Sequence, residues 1–228
     1  MNPAGGDEAR RGPSHRYLLL ASIGIFPFLV NGPINAEIAH LPYLYWGFEL
    51  SIWVLLPAIL LHAATRTPGF SFADLGLQTA VRGYREPVVL LLACLVIAPL
   101  CYWVYDGVFE AFDRWYPDGG FFHYETVIPE SGFPRLTVII YFAASAGLVE
   151  EFLFRGLLHR AAQEFRRPRL FFLVVSPLAF SLIHWESGIA NLLATWVFGL
   201  FTAAVFLGLR NLWPLIAGHA LTDLLEFY

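Results

Sequence analysis

Lysine is absent from the 228-residue chain, cysteine occurs only twice, and charged residues make up only 14%. The missing lysine is a bias of composition, since all fourteen basic residues are arginine, and it assigns no chemistry. The scarcity of charge does: soluble domains carry about 25% charged residues, so water is not the main solvent of this chain. Cys94 and Cys101 lie seven apart in one apolar segment and would share a helical face, which excludes a disulfide framework and a zinc knuckle. No basic cluster interleaved with aromatics is present, which excludes a nucleic-acid partner. Internal repeats, low-complexity tracts and a boundary between two folds are also missing. What fills the chain is apolar and aromatic, 57% and 17% of residues, with a mean hydropathy of +0.60.

A bilayer core about 30 Å thick takes roughly 20 apolar residues to cross as a helix. Stretches of that kind run over 17–36, 43–64, 87–105, 135–158, 170–185, 189–209 and 212–227. The expected fold is therefore all-α, a polytopic bundle of about seven spans, within a range of six to eight. Asn31-Gly32-Pro33 interrupts the first stretch, and the fifth is short. Arginines mark the cytoplasmic side. Arg10, Arg11 and Arg16 precede the first stretch, Arg66, Arg82 and Arg85 follow the second, Arg155 to Arg169 cluster after the fourth, and Arg210 follows the sixth. The segment 106–134 is acidic, with Arg114 as its one internal cation, and reads as an external loop. Its aromatics, among them Trp115, Tyr116, Phe122 and Tyr124, suit a lid or filler at headgroup level. The expected organisation is a cytoplasmic N-terminal tail over 1–16, then a single membrane domain over 17–228.

The fourth stretch carries two adjacent carboxylates, Glu150 and Glu151, after the small residues Ala143-Ala144-Ser145-Ala146-Gly147. A carboxylate near the bilayer centre costs about 2.5–3.5 kcal/mol on insertion scales, so something in the fold must compensate. Glu151 and Arg155 are four apart and can pair on one helical face, which leaves Glu150 free. A purely structural pairing of both acids is the bland alternative. Phe180 and His184 stand four apart in the fifth stretch, and a lone histidine there is more often a satisfied core residue. His219 and Asp223 repeat the spacing in the seventh, where the carboxylate can bond a ring nitrogen or share a ligand with it. Convergence of Glu150, His184, His219 and Asp223 from three helices is the economical arrangement, because polar groups in such a bundle have few partners but one another. A glutamate and a histidine can hold and deprotonate a water, and a second histidine can stabilise an oxyanion. The remaining histidines, at 15, 40, 62, 123 and 159, occupy tails, loops or span ends, and His159 sits one turn beyond Arg155.

These three segments resemble the CAAX protease and bacteriocin-processing family, which includes the type II CAAX prenyl endopeptidases. Its marks EExxxR, FxxxH and HxxxN or HxxxD are matched by Glu150-Glu151 with Arg155, Phe180 with His184, and His219 with Asp223, and Leu212-Trp213-Pro214 is similar as well. The resemblance covers 135 to the C-terminus, the expected catalytic core. It implies an intramembrane endopeptidase in which Glu150 activates water, His184 helps to hold it, His219 and Asp223 serve the oxyanion, and Glu151 with Arg155 brace the helix. An ionised aspartate cannot donate to an oxyanion, so Asp223 orients His219 or carries a proton itself. The implied partners are the bilayer and a hydrophobic or membrane-associated peptide, with no cofactor, and the resemblance assigns no oligomeric state. Two histidines and two acids can also bind zinc, although no HExxH is present. A transporter and a non-catalytic binding or immunity protein are the other readings, the first disfavoured by the lack of an inverted repeat. Depth poses a difficulty: Glu150 falls toward the cytoplasmic end of its stretch and His184 toward the external end of its own, so they meet only if one helix is displaced or broken.

Overall fold

A computed structural model of the protein describes residues 15–81, 84–117 and 119–228; the tail with Arg10 and Arg11, together with Arg82 and Asp118, lies outside them. Every apolar stretch is helical. The elements are α1 (Arg16–Leu29), α2 (Asn31–Ile38), α3 (Pro42–Leu50), α4 (Leu56–Thr65), α5 (Pro87–Asp113), α6 (Gly132–Glu150), α7 (Leu158–Ala162), α8 (Pro168–Leu182), α9 (Ile189–Leu209) and α10 (Trp213–Phe227). Pro42, Pro87, Pro168 and Pro214 stand in the first turns of their helices, where a missing N–H costs nothing. Wider π-helical turns, Ser51–Leu55 and Glu151–Leu157, join α3 to α4 and α6 to α7. Such turns recur at functional sites, and here they follow buried Glu49 and Glu150. Among the described residues there is no strand, only an isolated bridge between Val81 and Tyr84.

Five continuous helical segments are long and apolar enough to cross a membrane: Arg16–Ile38, Pro42–Thr65, Pro87–Asp113, Gly132–Ala162 and Ile189–Leu209, with Pro168–Leu182 shorter. In α5 Cys101 is the buried residue, while Leu91, Leu95, Val96 and Trp103 are exposed. So broad an apolar surface is untenable in water and ordinary in lipid. The protein is an all-α integral membrane bundle.

Three boundaries differ from the sequence expectation. The third helix continues to Asp113, so Asp106 and Glu110 belong to a helix rather than to a loop. Falling hydropathy ends an apolar stretch but does not unwind it, and no proline follows Pro99 until Pro117. The fourth helix runs past 158 to Ala162, and the fifth stops at Leu182, leaving His184 in the turn beyond. The depth difficulty dissolves there. Measured from the connection between them, Glu150 lies 12 residues before Ala162 and His184 lies 16 after Pro168, about 18 and 24 Å at about 1.5 Å per residue, which brings the two near one level.

At Asn31-Gly32-Pro33 the first span kinks rather than ends. Pro33 has no N–H for the Leu29 carbonyl four residues earlier, and that carbonyl accepts the Trp185 indole N–H at 3.0 Å. The break thus ties the first span to the turn that carries His184. Deeper in the bundle α10 packs against α5 and α6, and α9 against α5 and α8. The small residues before Glu150 allow the α6–α10 contact. A Cβ on Gly147 would fall 2.9 Å from the Ile216 carbonyl oxygen and 3.1 Å from the Ala220 nitrogen, closer than packed atoms tolerate.

Candidate active site

Each spacing in the sequence has a local physical reason. Glu151 and Arg155, one turn apart, form an ion pair at 3.0 Å with both side chains fully buried. Desolvation makes such a pair costly, and further contacts offset part of that cost. Arg155 donates to the Thr202 hydroxyl on α9, and its guanidinium lies 4.4 Å above the Phe180 ring. Phe180 is therefore the floor under that cation. Its carbonyl, freed near the end of α8, accepts from His184 Nδ1 at 2.8 Å. A ring that donates through Nδ1 presents Nε2 with its lone pair, and that nitrogen faces Glu150.

On α10, His219 Nδ1 meets Glu151 Oε1 at 2.9 Å. The expected partner for this histidine, Asp223, stands 3.9 Å from Nε2, too far for a hydrogen bond. Glu151 therefore orients His219, and Asp223 faces its other ring nitrogen. Asp223, one turn further along α10, stands on the Nε2 side of the ring, whereas Glu151, just past the end of α6, meets Nδ1. Phe180 and Phe198 hold the ring edgewise, with centroids at 5.6 and 5.2 Å.

Glu150 is the centre of the cluster. Its Oε2 lies 4.0 Å from His184 Nε2 and 3.8 Å from His219 Nε2, and among the described residues it has no hydrogen-bond partner. All four predicted residues, Glu150, His184, His219 and Asp223, line one cavity of about 240 Å³. Among the described residues no group of three or more His, Cys, Asp or Glu side chains is arranged to hold a metal ion. His159, one turn past Arg155, lies apart from the cluster, buried between Phe172 and Phe206 with Arg210 against Nε2.

Several lining residues were not singled out from the sequence. Glu49, Asn31 and Glu186 are buried in the cavity wall. Glu49 was discoverable by the argument applied to Glu150, as the one acid in its apolar stretch. Glu186 stands two residues beyond His184. Thr202 gave no signal, because a hydroxyl in a helix is cheap and common. The loop before α6 also differs from an interfacial filler. Trp115 and Phe121 remain exposed, but Phe122 and Ile128 are buried with Tyr45, Ile139 and Phe142, and Tyr124 accepts from Asn31 Nδ2 at 2.6 Å. Burial among acids raises the Tyr124 hydroxyl well above its ordinary pKa and keeps its proton.

The class so defined is a polytopic membrane protein with buried carboxylates and imidazoles facing one cavity inside a helical bundle. Residues 132–225 match the family model described as type II CAAX prenyl endopeptidase Rce1-like, so the C-terminal part of the chain is similar to that family. Neither a curated protein nor a solved structure matches the chain.

Proposed function

We propose that the protein is a glutamate-dependent intramembrane endopeptidase that hydrolyses a peptide bond in a hydrophobic or membrane-associated substrate. The observation that carries this reading is the unbonded Oε2 of buried Glu150 facing two imidazole Nε2 atoms at 3.8 and 4.0 Å. One small molecule can touch all three. A water there gives a proton to Glu150 while His184 Nε2 accepts a hydrogen bond from the hydrogen it keeps. Its oxygen attacks the scissile carbonyl carbon, and the C=O electron pair moves onto oxygen. His219, held through Nδ1 by Glu151 and carrying both ring protons, donates from Nε2 to that oxyanion. When the C–N bond breaks, Glu150 returns its proton to the leaving nitrogen. Glu151, Arg155 and Phe180 position the groups without touching the reacting atoms. The catalytic core is 135–228, in a bacterial inner membrane with the N-terminus cytoplasmic.

The test is cleavage of membrane-anchored reporter peptides, including candidate substrates encoded beside the gene, with and without chelator. Glu150→Gln, His184→Ala and His219→Ala should each lower the rate by about 100-fold or more, the usual scale of a lost acid–base or oxyanion group. Wild-type cleavage should persist in chelator; its loss would assign the same residues to a metal. Cleavage that survives Glu150→Gln would sink the mechanism and return the cluster to a transport or binding role.

A further inference from the structure

The cavity continues past the catalytic cluster toward the first two spans, and its charge there is one-sided. Histidines apart, every lining side chain that can carry a charge is acidic: Glu150 in the cluster, Glu49 and Glu186 toward the first two spans, and Asp113, Glu125, Asp223 and Glu226 beyond, and no arginine lines the cavity among the described residues. A cleft walled by one sign of charge at low dielectric concentrates the opposite charge. The flank near His184 is also incomplete in its bonding. Asn31, Glu49 and Glu186 are 3%, 1% and 3% exposed, and Asn31 Oδ1, Glu49 Oε2 and Glu186 Oε2 have no hydrogen-bond partner among the described residues. Buried acceptors left in that condition are destabilising.

The three side chains line one cavity. Tyr124, which bonds Asn31, lies within electrostatic range of both Glu49 and Glu186, and also of Glu150. Gly32, next to Asn31, exists as glycine because a Cβ would fall 2.5 Å from the Glu186 Cβ. Glu186 in turn is two residues from His184, a span of at most about 7 Å along extended chain.

We propose that Asn31, Glu49 and Glu186 form a subsite for a cationic side chain of the substrate, lysine or arginine, within about three residues of the scissile bond. An ammonium or guanidinium supplies only donors, which is what three unbonded acceptor oxygens lack, and its charge offsets the two carboxylates. Burial without such a partner pushes the Glu186 carboxyl up to about 7, and an arriving cation reverses that push. The subsite rests on the protease reading for its substrate, but its charge preference is measurable separately from turnover.

The probe is a set of N-acetylated, C-amidated Leu/Ala peptides of transmembrane length in phosphatidylcholine vesicles. Each carries one lysine, glutamine or glutamate, moved through the central positions. Affinity is measured on Glu150→Gln protein, to which bound peptide stays intact, and cleavage on wild type. At the matching position lysine should bind about tenfold tighter than glutamine, the scale of one charge-assisted bond, with glutamate weakest. Glu49→Gln and Glu186→Gln, each added to Glu150→Gln, should bring the lysine-to-glutamine ratio toward one. Equal affinity for lysine and glutamine at every position overturns the subsite. So does a ratio that survives both substitutions while all peptides weaken together, the signature of a structural role. Loss of the lysine preference when phosphatidylethanolamine is added would give the site to a lipid ammonium and overturn a peptide ligand. Lysine-selective binding without cleavage by wild type refutes the protease while the subsite stands, and cleavage without lysine selectivity does the reverse.

Discussion

At the scale of the residue, the structure divides labour between two neighbouring carboxylates. Glu150 and Glu151 are chemically identical and adjacent, yet one faces the cavity and the other faces Arg155 and His219. Rotation by about 100° around a helix is the whole difference, and it was legible from the position of Arg155 alone. The consequences of loss should separate accordingly. Glu151→Gln leaves the Arg155 guanidinium buried without its ion-pair partner, and removing one member of a buried pair costs about 3–5 kcal/mol. We expect a large fall in the unfolding midpoint of the solubilised protein for Glu151→Gln and little for Glu150→Gln, with cleavage lost in both. Equal midpoints for the two variants would contradict the division. Asp223 offers a sharper contrast. Because Glu151 rather than Asp223 fixes His219, Asp223→Asn should retain cleavage within about tenfold, while His219→Ala loses about 100-fold or more. A loss as deep in Asp223→Asn would restore the orienting role that the i, i+4 spacing suggested. That spacing could not reveal the true partner, since Glu151 lies 68 residues away in sequence.

At the scale of the element, the positions of the helices were legible and their ends were not. Mean apolarity located all seven stretches because lipid demands it. Ends answer to other forces: proline at 168 starts α8, the turn after Leu182 stops it, and α5 runs on into acidic sequence. The misplaced ends created the depth difficulty between Glu150 and His184, which vanished once the helix lengths were known. The small residues before Glu150 were a better guide, since they foretold a close contact whose partner proves to be α10. Gly147→Leu should drive α6 away from Ile216 and Ala220. Overpacking of that kind costs about 1–3 kcal/mol, and it also draws Glu150 and Glu151 from His219. The variant should therefore lose cleavage by more than its lowered unfolding midpoint explains at a temperature where it remains folded, whereas Gly147→Ala should show the same defects in smaller degree. Full activity in a folded Gly147→Leu protein would mean that the α6–α10 distance does not set the site.

At the scale of the whole molecule, the sequence left the first two spans as apolar filling, because no motif lies in them and the family match begins only at residue 132. The structure makes them a wall of the site. Phe28, Asn31, Glu49 and Trp53 line the cavity, the kink carbonyl of Leu29 holds Trp185 beside His184, and α1 packs on the π-helical turn that follows Glu150 so closely that a Cβ on Gly24 would meet Leu153 Cδ2 at 2.5 Å. Such contacts are invisible to a reading of one segment at a time, since they join residues more than a hundred positions apart. They also carry a consequence for the catalytic residues, all of which lie beyond residue 84. Membrane helices insert as units and then associate through packing and polar contacts, so the chain can be divided in the connection before α5. A fragment of 84–228 should insert and retain every motif residue yet cleave nothing, since one side of its cavity is open and Trp185 has lost its acceptor. Co-expression with 1–83 should restore cleavage of the same reporter peptide. Activity in 84–228 alone would show that the first two spans only accompany the site, and failure of the pair despite confirmed insertion of both pieces would show that they must be covalently joined to close it.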